Sequence, residues 1–171
     1  MSLNQFNFCL SILTVLGQAF IIGAIIYLIY FRKIKNKFIN FVTRHALILV
    51  FFVALLATSG SLYYSQIAGF APCELCWFQR ICMYPLVIIF GLAAIKKDNS
   101  VIDYGLGLVI IGTIIASYHN YIYYTAVTSS GFCSIVAPCT QKYITGFSYL
   151  SIPLMALTAF LMIGLLLINK R

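Results

Sequence analysis

The sequence predicts an all-α membrane protein that crosses the bilayer five times. Of its 171 residues, 63% are hydrophobic and only 8% are charged, and the mean hydropathy is +1.01. A soluble domain of this size has a different composition, because it needs a polar and charged surface. The chain also contains five apolar stretches, each near the ~20 residues that a helix needs to cross ~30 Å of hydrocarbon.

The five predicted spans are distributed along the whole chain: Phe8–Tyr30, Ala46–Tyr64, Trp77–Ile95, Tyr104–Tyr124 and Phe147–Ile168. The first span differs from a cleaved signal peptide, because no basic residue precedes it and no Ala-x-Ala-like site follows it. The basic segment Arg32–Lys37 follows instead, and this stop-transfer pattern predicts that the first span is retained.

The basic residues predict the orientation of these spans. They cluster between the first and second spans, between the third and fourth, and after the fifth. Because successive spans run in opposite directions, these three segments lie on the same side of the membrane. The positive-inside rule places these segments in the cytoplasm. The N-terminus and the loops Ser65–Cys76 and Thr125–Gly146 are then extracytoplasmic, and the protein is expected in the cytoplasmic (inner) membrane. The net charge of +8 is explained by topology, so no nucleic-acid partner is expected.

Six cysteines divide into two groups by their predicted side of the membrane. Two lie within spans and are expected to be apolar filler, Cys9 and Cys82. Four fall in the outer loops, two in each: Cys73, Cys76, Cys133 and Cys139. Disulfides persist outside the cytoplasm, and a Cys-x-x-Cys pair can close into a disulfide and reopen. Two such pairs could exchange electrons through a mixed disulfide.

The first pair lies at the start of the third span. If that helix begins near Cys76, its unpaired N–H groups and dipole favour a thiolate on Cys76. Arg80 follows one turn later on the same face and adds a positive charge. An arginine this close to hydrocarbon is a candidate functional residue. The alternative is an interfacial arginine that extends towards the lipid headgroups.

Four sequence blocks together resemble the DsbB family of membrane quinone:thiol oxidoreductases, especially its BdbC-like branch. These blocks are Pro72–Pro85, Ala116–His119, Cys133–Thr140 and Ile152–Leu154. The resemblance covers roughly Arg44–Arg171. It implies an antiparallel four-helix bundle of the DsbB type in residues 44–171, with outer loops 65–76 and 125–146. Residues 1–43 are then an additional N-terminal helix with a basic cytoplasmic loop.

The resemblance also implies the cofactor and the partner. A quinone, either ubiquinone or menaquinone from the membrane pool, is expected near the first pair, bound by Cys76, Arg80 and His119. The expected electron donor is a soluble thioredoxin-fold thiol oxidase of the DsbA or BdbD type. The second pair has the spacing Cys-x5-Cys, which is closer than in the enterobacterial members.

The sequence has no motif for a bound haem or dinucleotide, which is compatible with an electron acceptor that diffuses in the membrane. The chain has no Cys-x-x-Cys-His for covalent haem, and Gly105, Gly107 and Gly112 lie in an apolar run that is better interpreted as a set of close helix contacts. His119 lies near the outer end of the fourth span. It could bind a quinone carbonyl or relay a proton, or it could be a packed histidine bonded to a neighbouring helix.

The direction of electron flow comes from the resemblance alone. A reduced partner attacks the Cys133–Cys139 disulfide, first at Cys133. That pair is reoxidised through Cys73, and Cys76 reduces the quinone with Arg80 supporting the charge. Cys73, Cys76, Cys133 and Cys139 are therefore the predicted catalytic residues, and no metal site is expected.

Two other functions are compatible with the cysteine pattern. The four outer cysteines could be structural, either as two static disulfides or as ligands of one zinc ion. A vitamin-K-epoxide-reductase-like enzyme could use a similar layout. Trapping of a mixed disulfide with a thioredoxin-fold partner separates exchange from a static role, and an epoxide assay separates the two enzymes.

Overall fold

The computed structural model describes residues 3–30, 37–125, 139 and 149–171. All regular structure in these ranges is helical, and the helices are α1 Leu3–Tyr30, α2 Lys37–Arg44, α3 Ala46–Leu62, α4 Glu74–Lys96, α5 Ile102–Thr125 and α6 Ile152–Lys170. Five of these described helices, all except α2, are long and apolar enough to cross a membrane. The predicted fold class is confirmed.

Most helix boundaries differ from the predicted spans by a few residues. α1 begins at Leu3, before the predicted Phe8. α3 continues beyond Leu62 as a π-helical turn, Tyr63–Ile67. α4 begins at Glu74, before the predicted Trp77, and the helix dipole favours the carboxylate of Glu74 in its first turn. The fifth predicted span began at Phe147, which lies outside the described residues, but α6 begins only at Ile152, so the prediction was wrong for residues 149–151.

The N-terminus of α6 is fixed by its own sequence. Ser151 has an extended backbone, and its hydroxyl accepts a hydrogen bond from the Leu154 N–H at 3.2 Å. Pro153 lies in the first turn, where a missing N–H costs nothing. The helix therefore starts sharply at the cysteine-bearing end of the bundle.

The short helix α2 was not predicted, since its segment was interpreted as a basic loop. Its sequence is amphipathic: Val42 is half-buried against the core, whereas Asn40 and Arg44 are exposed. It packs on α3 and α6. Eight residues are too few for a clear hydropathy signal, and the neighbouring charges obscure the periodicity.

The helices α3, α4, α5 and α6 form an antiparallel ring. Each packs on the next, and α6 packs back on α3, while α1 lies outside this ring against α6. The centre of the ring is filled by large apolar side chains that are fully or almost fully buried: Val50, Leu86, Phe90, Phe160, Ile163 and Leu167.

Two glycines of α5 permit this close packing. A Cβ atom at Gly105 would overlap the ring of Phe90, and one at Gly112 would overlap the ring of Phe160. The interpretation of these two glycines as close helix contacts is confirmed. Gly107 is different, because a Cβ atom there would meet no atom within 4 Å.

The two ends of the bundle differ in composition. We call the end at which α4 and α6 begin the cysteine end, and Cys73 and Cys76 lie there. The first residues of α1 lie at the same end, since Asn7 accepts a hydrogen bond of 2.8 Å from Tyr64 beyond α3. Lys96 and Lys170 lie at the opposite end. This separation agrees with the predicted orientation, which stays a prediction.

Candidate active site

Cys73 is the N-cap residue of α4. Its backbone is extended, with φ −71° and ψ 168°, and its carbonyl accepts a hydrogen bond from the Trp77 N–H at 3.1 Å. The sulfur of Cys73 lies 2.8 Å from the sulfur of Cys76, and both residues are free thiols. The two sulfurs are therefore within hydrogen-bond distance of each other, and the pair has the Cys-x-x-Cys spacing that allows a disulfide to close and reopen.

The thiolate position differs from the expectation. We expected the helix dipole to favour a thiolate on Cys76, but α4 begins at Glu74, so Cys73 occupies the cap. A hydrogen bond from the Cys76 thiol, assisted by His119 and by the Cys76 backbone N–H, lowers the pKa of Cys73 to about 4, although burial opposes this shift. At neutral pH the negative charge of the pair belongs on Cys73.

His119 contacts Cys73 from α5. Its Nε2 atom lies 3.7 Å from the Cys73 sulfur, and its Nδ1 atom lies 3.0 Å from the side-chain nitrogen of Gln79. An amide nitrogen only donates, so Nδ1 accepts this bond and the proton of a neutral ring is on Nε2. His119 therefore presents an N–H to the Cys73 thiolate, and only 2% of its surface is exposed.

The sulfur of Cys139 completes this cluster. The sulfurs of Cys73 and Cys139 and a ring nitrogen of His119 all lie within 4.8 Å of one another. Cys139 is disulfide-bonded, and 4% of its surface is exposed. The predicted catalytic residue Cys133 lies outside the described residues. The cluster thus places a disulfide sulfur beside the low-pKa thiol of the first pair.

The same three residues have the donor types of a metal site. A cysteine binds zinc as a thiolate, however, and the sulfur of Cys139 is bonded in a disulfide, so it is not a thiolate. The donor set beside His119 therefore fits disulfide exchange better than it fits a structural zinc ion.

A cavity of about 400 Å³ is lined in part by Cys76, whereas Cys73 is not among its lining residues. It is bounded by α1, α3, α4, α6 and the segment before Cys73, and most of its lining is apolar. Its polar or titratable lining residues are Thr14, Ser61, Tyr64, Cys76, Gln79, Arg80, Tyr84 and Thr158. The first cysteine pair therefore has one sulfur towards the Cys139 disulfide and the other at an apolar cavity.

Arg80 is held at this cavity by α3. Its Nε atom donates to the Ser61 hydroxyl at 2.9 Å, and a terminal nitrogen donates to the Ser61 carbonyl at 3.0 Å. Its guanidinium also lies 5.2 Å from the centre of the Trp77 ring, a cation–π distance. These contacts favour a fixed cationic residue of the site over an arginine that extends to the headgroups.

Comparison with known proteins identifies the family. The sequence model described as "Disulfide bond formation protein DsbB" matches residues 43–169. The chain belongs to the DsbB family. Because this match begins after α1, the DsbB-like part comprises α3 to α6 and the segments that connect them.

Curated relatives of the DsbB-family chain include proteins of Oceanobacillus and Bacillus species. A "Probable disulfide formation protein" of Oceanobacillus iheyensis is 46% identical over 137 residues, which are 79% of this chain and 91% of the relative. "Disulfide bond formation protein C" of Bacillus subtilis is 47% identical over 113 residues, 65% of this chain and 81% of the relative. No solved structure matches the chain significantly.

The DsbB-family site brings together five of the six residues predicted from sequence. Cys73, Cys76, Arg80, His119 and Cys139 all lie at the cysteine end. His119 contacts Cys73 and is not among the residues that line the cavity, so its predicted role in quinone binding stays a prediction.

Two residues of the site were missed by the sequence analysis. Gln79 fixes the ring of His119, and Ser61 fixes Arg80. Gln79 could have been found, because it is a polar residue within an apolar run and lies one turn after Cys76. Ser61 gives no such signal, since its role depends on the packing of α3 against α4.

Proposed function

We propose that this DsbB-family protein is a membrane thiol:quinone oxidoreductase. It reoxidises a soluble extracytoplasmic thioredoxin-fold disulfide oxidase and passes the electrons to a membrane quinone. One observation carries the proposal: the Cys73 sulfur lies within 4.8 Å of the Cys139 sulfur and 2.8 Å from that of Cys76, which lines the apolar cavity with Arg80. These contacts form a continuous path for thiol–disulfide exchange.

Electrons enter at the second pair. A partner thiolate attacks a Cys133–Cys139 disulfide and forms a mixed disulfide, which the partner's second thiol resolves. The partner is oxidised to its disulfide, and Cys133 and Cys139 become thiols. Burial of Cys139 supports attack at Cys133, because a bulky partner has little access to a sulfur whose residue is 4% exposed.

The first pair is reduced next. A thiolate of the second pair attacks a Cys73–Cys76 disulfide at Cys73, and Cys76 leaves with the electron pair and gains a proton. Closure of the second pair then expels Cys73 as a thiolate. A thiol of low pKa leaves faster, so the contacts that stabilise the Cys73 thiolate favour this step.

The cavity fits a quinone. A bound quinone would supply an acceptor for two electrons and two protons; closure of the Cys73–Cys76 disulfide releases both electrons and the proton of the Cys76 thiol, and water supplies the second proton. A volume of about 400 Å³ is in the range of small-molecule sites, and the mostly apolar lining suits a lipid-soluble molecule. Cys76 supplies the thiol at this cavity, and the fixed charge of Arg80 stabilises negative charge near it. These features suit ubiquinone and menaquinone alike.

The test is quinone reduction by purified protein in lipid nanodiscs, with a reduced thioredoxin-fold oxidase as donor. Wild-type protein is expected to reduce quinone and to oxidise the donor in equal amounts. Cys76→Ser should abolish both reactions, whereas Cys9→Ser, at an exposed position on α1, should change neither. Turnover of a vitamin K epoxide without quinone reduction would favour the epoxide-reductase alternative, and four unreactive cysteines would favour a static role.

A further inference from the structure

α1 is the part of the chain that the family does not account for. The family match begins at residue 43, after α1 has ended at Tyr30. Yet α1 supplies six of the residues that line the cavity beside Cys76: Leu10, Leu13, Thr14, Leu16, Gly17 and Phe20. The helix outside the family match is thus a wall of the site that the family chemistry uses.

One face of α1 carries polar side chains. Asn7, Ser11, Thr14 and Gln18 recur at helical spacing and so share one face. The first three are at most 8% exposed. Polar side chains in a membrane span face the bundle and not the lipid. This face therefore fixes the rotation of α1 about its axis.

Specific contacts hold α1 against the cavity. The Tyr64 hydroxyl donates to the Asn7 side-chain oxygen at 2.8 Å, and Tyr64 itself lines the cavity. The amide nitrogen of Gln18 donates to the Thr158 hydroxyl at 3.4 Å. A Cβ atom at Gly17 would lie 3.3 Å from the methyl group of Thr158, so α1 and α6 are in close contact.

We propose that α1 is part of the acceptor site, where it forms a wall that holds the apolar chain of the quinone. This inference depends on the function proposed above. Arg80 and the Cys76 thiol are the charged and reactive groups of the cavity, whereas α1 contributes mainly leucine and phenylalanine side chains. With the quinone ring beside Cys76 and Arg80 of α4, the surface of α1 contacts the hydrocarbon chain of the quinone. Removing or reshaping that surface changes the affinity for quinones with long chains.

The experiment compares two nearby positions of α1, Thr14 and Ile12, which are two residues apart. Thr14 lines the cavity and is 8% exposed, whereas Ile12 is 39% exposed and does not line it. Thr14→Phe places a ring in the cavity, and Ile12→Phe places one outside it. Leu13→Ala and Ile12→Ala form a second pair, which shortens a side chain and does not overfill the cavity. Leu13 is 45% exposed but lines the cavity, whereas Ile12 does not. This pair keeps the experiment decisive if Thr14→Phe fails to fold.

The primary measurement is equilibrium binding of quinone to the full chain in nanodiscs. Trp77 is the only tryptophan of the sequence and lies against Arg80, which makes its fluorescence quenching a direct signal. Thr14→Phe is expected to weaken binding of a long-chain quinone by about tenfold, because overfilling an apolar site is costly. Leu13→Ala should weaken it less. A quinone without a chain should bind all variants almost equally.

The outcomes separate the two proposals. The role of α1 is overturned if Thr14→Phe and Leu13→Ala bind long-chain quinone like the wild type, or no more weakly than the two Ile12 variants. That result would leave the proposed function intact. A wild-type protein that neither binds nor reduces any quinone overturns the proposed function and this inference with it. Steady-state reduction should agree with binding, with the quinone KM raised in Thr14→Phe and kcat changed little.

Discussion

The sulfur of Cys139 lies within 4.8 Å of the sulfur of Cys73, although the two residues are far apart in sequence. Both are buried, with 4% and 5% of their surfaces exposed. The burial of these two residues leaves little surface of either for a soluble thiol to reach. In the proposed function, a partner would therefore exchange with Cys73 only through the second pair.

The low pKa of Cys73 can be tested by alkylation. The thiolate is the reactive form, so a thiol with a pKa of about 4 keeps its reactivity between pH 8 and pH 5 and loses it only as the pH approaches 4. An unfolded cysteine, with a pKa of about 8.5, loses reactivity over the whole of that range. Peptide-resolved mass spectrometry of the reduced protein measures the profile for Cys73, with denatured protein as the reference.

The same profile tests the contact between His119 and Cys73. His119→Ala removes a donor to the thiolate, so the pKa of Cys73 should rise by about one unit or more, since hydrogen bonds to charged groups are worth ~1.5–3 kcal/mol. Tyr118→Ala, at the neighbouring exposed position of α5, is the control and should leave the profile unchanged. An identical midpoint in His119→Ala would contradict the assigned contact.

Arg80 should act through the acceptor and not through disulfide formation. Arg80→Gln or Arg80→His should leave the protein able to form its disulfides but weaken quinone reduction by on the order of 1–3 kcal/mol, because a charge that stabilises anions is lost. Apparent quinone affinity and turnover of the purified variants measure this effect. Unchanged values for both would count against Arg80 as a residue of the site.

Ser61 should have a smaller effect of the same kind. Ser61→Ala removes the hydroxyl that accepts from Arg80 Nε but keeps the carbonyl that accepts from the terminal nitrogen. The variant should therefore lose less quinone affinity than Arg80→Gln. Ser59→Ala, at an exposed position on the same helix, is the matched control. A Ser61→Ala loss as large as that of Arg80→Gln would mean that Ser61 has a further role.

Packing of α5 gives a stability prediction with an internal control. Gly105→Leu should lower thermal stability in detergent by the equivalent of about 1–3 kcal/mol or abolish folding, because the new side chain overlaps Phe90. Gly107→Leu lies two residues away and meets no atom within 4 Å, so its melting temperature should stay near the wild-type value. Equal losses in both variants would indicate a general intolerance of α5 and not a specific contact.

The spans and the membership of the site were predictable because they depend on local sequence. Hydropathy over ~20 residues is enough to find a membrane helix, and two cysteines in each outer loop are enough to predict two pairs at one end. The contact of His119 with Cys73 was not predictable, because it depends on the rotation of α5 relative to α4. The start of α4 was missed because Glu74 and Leu75 can belong either to a loop or to a first turn.

The position of α1 was the largest gap in the sequence analysis. Its mean hydropathy is high, and a helix that is apolar on most sides has no obvious buried face. The recurrence of Asn7, Ser11, Thr14 and Gln18 was the available signal, because polar residues in a span mark its bundle side. That recurrence still leaves open which neighbour α1 contacts, and only the packing on α6 beside the cavity answers this question.

The division of labour within the second pair can be tested by trapping. The variant Cys139→Ala leaves Cys133 as a lone thiol, which attacks the disulfide of the oxidised partner and forms a mixed disulfide, with release of the partner's second thiol. If Cys133 is the residue that reacts with the partner, a covalent complex should accumulate, because this chain no longer has a neighbouring thiol that displaces the partner from Cys133. Cys133→Ala should accumulate much less. With only five residues between the two cysteines, ring closure is fast compared with exchange between molecules, so its loss lengthens the life of the intermolecular bond.

Non-reducing gels and mass spectrometry of the linked peptides measure this result, with Cys82→Ala as a control in which a buried cysteine outside the relay is removed. Cys139 is 4% exposed, and it lies beside Cys73. An attack at Cys139 by a folded partner therefore requires the cluster to open first. A partner trapped on Cys139 or on Cys73 would show that the first step of the path is wrong, while the Cys76 and Arg80 end could still be right.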